Sequence, residues 1–196
     1  MEPNVREIAK RIIISREDLG ITPEEMAEAT GRSVEDYLAM ESGQIDFDFT
    51  FLYKCAHRFG VDVMELIIGE PPHLTGYALT RAGEGISINR KDYLDYQHMA
   101  PFFKDRLVQP FMVTAPFVEG ETDEPHHLAH HEGQEMDLVI EGRLRFFYDD
   151  HSEDMGPGDF VLYDSSHPHD LVAIDGANCT FLAVVIPPND PEERAE

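Results

Sequence analysis

Three side chains, His131, Glu135 and His169, have the types and spacing to hold a divalent metal ion. Two of them fall in His131-Glu132-Gly133-Gln134-Glu135; the third follows a Pro157-Gly158-Asp159 turn signal, in His167-Pro168-His169. His131 and Glu135 are four positions apart, so on a β-strand both side chains project from one face. A second strand that brings His169 to that face completes two imidazoles and one carboxylate around a common point. That donor set is the facial triad favoured by non-haem iron(II), and it also suits other divalent ions; Fe, Zn, Ni and Mn all stay open. His127, four residues before His131, has the same strand parity and is the candidate fourth ligand. Pro125 just ahead of it argues against a regular strand there.

The elements around this cluster have period two. Short β-rich runs are expected at Met112–Val118, Met136–Ile140, Leu144–Tyr148, Phe160–Tyr163 and Thr180–Ile186, with turns at Glu141-Gly142 and Gly156-Pro157-Gly158-Asp159. Many short strands with regular turns mean a sandwich or barrel. This β domain is expected over 77–190, with an acidic tail at 191–196 and a linker at 70–76, where Glu70-Pro71-Pro72-His73 breaks all periodicity.

Residues 1–69 follow a helical period instead. Val5, Ile8, Ile12 and Ile13 recur at helical spacing. Thr22-Pro23-Glu24-Glu25 is a capping box with proline at the first helical position. Thr30-Gly31-Arg32 makes a turn, and Ser33 can cap a third helix from Val34 to about Met40. Helices over Phe49–Phe59 and Asp62–Ile68 complete five, with a tight turn between the second and third: a helix-turn-helix layout. The fold class is therefore two-domain α + β, an all-α N-terminal half and an all-β C-terminal half.

Composition limits the partners. The chain of 196 residues is 42% hydrophobic and carries a formal charge of −24. Such a surface repels phosphate backbones and anionic membranes, and no apolar run reaches spanning length. The N-terminus has no basic or apolar signal region, and Cys55 and Cys179 form no CxxC pair, which together predict a reduced, cytoplasmic protein.

His131-x3-Glu135-x6-Gly142 resembles the first motif of the cupin family, and Pro157-Gly158-Asp159 through His169 resembles the second. The resemblance implies a double-stranded β-helix, a jelly-roll barrel with the ligands pointing inward. The family pattern has a further His two residues before His131, where this chain has Ala129. The first 69 residues resemble the helix-turn-helix domain of the xenobiotic-response-element class of regulators. The resemblance rests on Leu19-Gly20-Ile21-Thr22, Met26-Ala27, Glu41-Ser42-Gly43 and Phe59-Gly60-Val61. It implies DNA contacts from Arg32, Ser33, Val34, Glu35, Asp36, Ala39 and Ser42, on or beside the third helix. Base readout usually relies on Arg, Lys, Asn or Gln, whereas this surface is acidic. Residues 1–70 hold 7 basic against 15 acidic side chains, a balance of −8.

The combined order implies a one-component transcriptional regulator: a homodimer that binds operator DNA and senses a small-molecule effector or metal through its cupin domain. The alternative is an enzyme. The same order, with His-x3-Glu and a later His, resembles the phosphonate-epoxidase class of mononuclear iron cupins, in which the helical domain is scaffold.

Overall fold

The computed structural model describes residues 4–88, 94–120, 122–126 and 128–188. His127 and the tail at 191–196 lie outside the described residues. The chain divides into two compact units, one comprising Met1–Asp92 with Ala100–Asp105, the other Tyr93–Met99 with Arg106–Glu196.

The first unit contains α1 (Val5–Asp18), α2 (Pro23–Thr30), α3 (Val34–Glu41), α4 (Phe49–Phe59), α5 (Val63–Ile68) and a two-residue strand β1 (Ile86–Ser87). Each helix starts on a side chain that accepts a backbone N–H: Asn4, Thr22, Ser33, Asp48 and Asp62. Caps of this kind contribute about 1 kcal/mol apiece, which matters for helices this short. Thr22 and Glu25 close the reciprocal capping box read from the sequence. Ile8, Ile12, Met26, Tyr37, Phe51, Leu52, Met64 and Ile67 fill the core. Inside it, the Arg16 guanidinium donates to both oxygens of Glu41, at 2.6 and 3.3 Å, and the Tyr37 hydroxyl donates to Glu41 at 2.9 Å. This buried ion pair joins α1 to α3. No helix among the described residues is long and apolar enough to cross a membrane.

The second unit is a barrel of two antiparallel sheets. Its strands are β2 (Asp95–His98), β3 (Gln109–Ala115), β4 (Gln134–Glu141), β5 (Leu144–Tyr148), β6 (His151–Met155), β7 (Phe160–Asp164), β8 (His169–Ala173) and β9 (Cys179–Ile186). Within this unit the larger sheet runs β2-β3-β9-β4-β7 and the smaller β6-β5-β8. Inward-facing Phe111, Val113, Val139, Phe181 and Ala183 of the larger sheet and Leu144, Leu171 and Ala173 of the smaller are buried in the core. Strands β6 and β8 go beyond the runs expected from the sequence. His151–Met155 lacks apolar alternation, and His169–Ala173 is buried at every position, so neither shows a period of two. Both form because β5 pairs with them on its two sides.

The glycines of the motif have a structural reason. Gly142 has φ +80°, and a Cβ there would collide with the Asn178 carbonyl oxygen. In Gly156-Pro157-Gly158-Asp159 the Asp159 N–H donates to the Gly156 carbonyl at 2.9 Å and Gly158 has φ +91°. This is the type II turn that proline at its second position and glycine at its third predict.

Candidate metal centre

The structure brings His131, Glu135 and His169 together, all three buried, with one ligand atom from each lying within 4.8 Å of the others. His131 Nε2 is 2.9 Å from Glu135 Oε2, and His169 Nε2 is 3.9 Å from the same oxygen. The two imidazoles meet edge to face, centroids 5.5 Å apart. Glu135 is in β4 and His169 opens β8.

One part of the spacing argument needs correcting. His131 does not share a strand with Glu135; it lies before β4, separated from it by a bend at Glu132 and Gly133. Gly133 has φ +104°, and any Cβ would strike the Ile186 carbonyl oxygen. The His131 N–H donates to the Ser165 carbonyl at 2.8 Å, and the Ser165 N–H donates back to Gly133 at 3.2 Å. His131 thus reaches the face of Glu135 through a glycine kink held against the end of β7, and strand parity alone is not the cause.

Orientation suits a metal. His169 Nδ1 is 2.8 Å from the His167 carbonyl oxygen, which fixes the tautomer and leaves Nε2 turned toward Glu135. His167 itself points elsewhere, its ring 2.8 Å from Asp149. Burial, outweighing the opposing pull of Glu135, holds the His169 pKa below its ordinary value, so the ring stays neutral as a metal ligand must. Ala129 exchanges both backbone hydrogen bonds with His169, at 2.9 and 3.0 Å. Directly paired residues point to the same face, so Ala129 offers a methyl group where the cupin pattern would add a ligand. Of the other nearby histidines, His130 is exposed. His126 is half-buried, its backbone N–H donating to Asp170 at 2.6 Å.

Two neighbours were not singled out in the sequence. Asp137 follows Glu135 by two residues on the inward face of β4 and is 0% exposed. Its parity with Glu135 was the available signal. Tyr163 stands opposite Glu135 in the β4–β7 register, its ring 5.0 Å from that of His169. Its hydroxyl faces Asp137 short of ordinary hydrogen-bond geometry, so both groups are buried without a closed hydrogen bond. Burial, and then the Glu135 charge, push the Asp137 carboxyl well above the usual carboxylate range. Burial likewise raises the Tyr163 phenol. The surroundings of the triad are therefore rich in oxygen and short of positive charge, and the donor set fits a divalent cation.

On the helical unit, Val34, Glu35, Asp36 and Ser42 are exposed and Ala39 is half-buried. Leu38, absent from the expected set, is also exposed on α3. Ser33 is engaged as the cap of α3. Arg32 forms an ion pair with Asp48, the cap of α4.

Residues 115–185 match the family model of the cupin domain. That C-terminal stretch is a cupin domain. Among solved structures, the fold is similar to that of an HTH_3 family transcriptional regulator from Vibrio cholerae. The identity is 18%, the TM-score 0.66, and the match covers 94% of this chain and 97% of that one. It is also similar to hydroxypropylphosphonic acid epoxidase from S. wedmorenis, at 20% identity, TM-score 0.48, and 95% and 100% coverage. No curated protein sequence matches the chain significantly.

Proposed function

We propose that the chain is a one-component transcriptional regulator. Its helical unit binds operator DNA as part of a homodimer, and its cupin domain binds a divalent metal through His131, Glu135 and His169 and senses a small molecule there. The observation that carries the reading is the joining of a five-helix unit to a cupin domain, an order shared along nearly the whole length of the HTH_3 regulator. A metal held by these three residues would supply Lewis acidity toward a chelating effector. The residues of the chain do the rest: the His167 carbonyl orients His169, Gly133 admits His131, and the barrel wall keeps bulk water from Glu135.

A second reading, a mononuclear non-haem iron enzyme, is favoured by one feature. The α3 surface offers Glu35 and Asp36 and no unpaired arginine, because Arg32 is held by Asp48. One experiment separates the two. Metal content is measured by mass spectrometry, and binding to the upstream region of its own gene by fluorescence anisotropy at several salt concentrations. The regulator reading expects about one metal per chain and specific DNA binding. Glu135→Gln should lower metal affinity by more than the roughly 10- to 100-fold typical of an outer-shell partner. Dioxygen-dependent turnover of a small molecule, with no DNA binding even at low salt, would replace the regulator with the enzyme.

A further inference from the structure

The outer face of the larger sheet is apolar where a solvated sheet would be polar. Along β3, β9, β4 and β7 the outward positions align in register. Met112, Leu182, Leu138 and Phe160 form one cross-strand row, and Pro110, Val184, Met136 and Leu162 form the next. Neither row contains a charged side chain. Phe160 is 53% and Leu162 52% exposed, and Ile140 beside them is 47% exposed; Pro110, Met112, Met136, Leu138 and Leu182 are half-buried and Val184 is buried, so the open part of the face lies along β7 and the end of β4. Polar groups return at the strand ends, with Gln134 and Asp164 paired on one side and Thr114 and Thr180 on the other.

We propose that this face is where a second copy of the chain docks, sheet against sheet. This inference rests on the dimeric part of the reading above and assigns its surface. Charge decides the occupant. At a net −24, most surfaces of one copy repel those of another, whereas two copies of this face meet without opposing charges. An isologous contact needs one self-complementary patch, and a charge-free double row of aliphatic and aromatic side chains meets that need. Size agrees as well. Four strands and the two apolar rows cover roughly 19 by 14 Å at ordinary sheet spacings. That is about a third of the roughly 800 Å² a stable dimer covers per partner, an apolar centre to which the polar strand ends add the rim.

The test uses the full chain. Sedimentation equilibrium at about 20 µM should give twice the chain mass of 22.3 kDa. The double variant Phe160→Glu/Leu162→Glu should be monomeric there, with its dissociation constant raised at least 100-fold, while circular dichroism and metal content stay those of the parent. Should that variant not fold, Leu162→Cys decides. Cys55 and Cys179 are both buried, so a short bis-maleimide should link two copies through residue 162 and leave the parent unlinked. A monomeric parent overturns both the interface and the dimeric reading. A dimer that survives the double substitution, or a folded dimeric Leu162→Cys that does not cross-link, overturns the interface alone. A dimer lost on the double substitution but without DNA binding supports the interface and removes the regulator.

Discussion

Each unit buries carboxylates, and the two units treat them oppositely. In the helical unit Glu41 is 5% exposed, and it meets the Arg16 guanidinium and the Tyr37 hydroxyl. In the barrel Glu135 and Asp137 are equally buried, yet among the described residues no lysine or arginine pairs with either. Among the described residues, the imidazoles of His131 and His169 are the groups that pair with Glu135. A buried charge compensated within the chain ties two helices together. One that the chain leaves uncompensated is stable only with a proton or an external cation, and that marks a site.

The largest effect should separate these two carboxylates. Arg16→Met leaves Glu41 buried without its cation and should cost the helical unit about 3–5 kcal/mol, read from urea unfolding. Asp137→Asn removes no ion pair and relieves the repulsion from Glu135, so metal-free barrel stability should stay within about 1 kcal/mol of the parent or rise. Equal losses for the two variants would break the comparison.

The helices were the more legible half, because capping residues and a 3.6-residue period are local properties of the chain. Thr22 and Ser33 each cap the helix their positions predicted. The ion pairs were not legible. Glu41 is 25 residues from Arg16, and Asp48 is 16 from Arg32, so nothing local joins them. In the barrel, Leu144–Tyr148 was read to the residue, while β3 lies three residues earlier than the expected Met112–Val118. The triad was visible through its residue types and spacing. The kink at Gly133 was not, since it depends on the backbone of β9 passing close to the glycine. Tyr163 could be found only once the β4–β7 register was known.

A smaller effect should separate the units by pH. His98 in β2 is 0% exposed, its ring 4.8 Å from that of Phe111 and its Nε2 2.8 Å from Gln109. Burial lowers its pKa to about 3, against an opposing contribution from the Gln109 hydrogen bond. In the unfolded chain the ring titrates near 6.5. Below that pH the unfolded state binds a proton that the folded state refuses, so stability falls as pH drops. The slope is about 1.4 kcal/mol per pH unit for such a histidine, and the loss continues until His98 itself protonates near 3. His169 adds to the trend in the same direction. The histidines of the first unit, His57 and His73, are exposed. Hydrogen exchange at pH 7, 6 and 5, corrected for intrinsic rates, should therefore show the barrel losing protection before the helices do. His98→Gln should flatten the barrel's slope whatever it does to absolute stability, and an unchanged slope would remove His98 as the cause.

The smallest effect concerns the helical surface proposed for DNA. Arg32 is the cation nearest the start of α3, but its guanidinium is already paired with Asp48. Asp48 also accepts the Phe51 N–H at 2.6 Å as the cap of α4. Asparagine caps a helix about as well as aspartate, so Asp48→Asn keeps α4 while releasing Arg32 from its counter-charge and removing one anion from the face. If Arg32 reaches a phosphate, that variant should tighten non-specific binding by roughly two- to fivefold, and Arg32→Ala should weaken it and lower the salt slope by about 0.9. Glu35→Gln with Asp36→Asn should tighten binding further by removing like-charge repulsion. Anisotropy titrations on a random duplex across salt concentrations read all of these together. If Arg32→Ala and Asp48→Asn leave affinity and slope unchanged but lower the thermal midpoint, Arg32 serves only to fasten the turn before α3 to the start of α4. The helical unit would then resolve its charges internally at its surface as it does at Glu41, and the barrel alone would keep groups that wait for an outside partner.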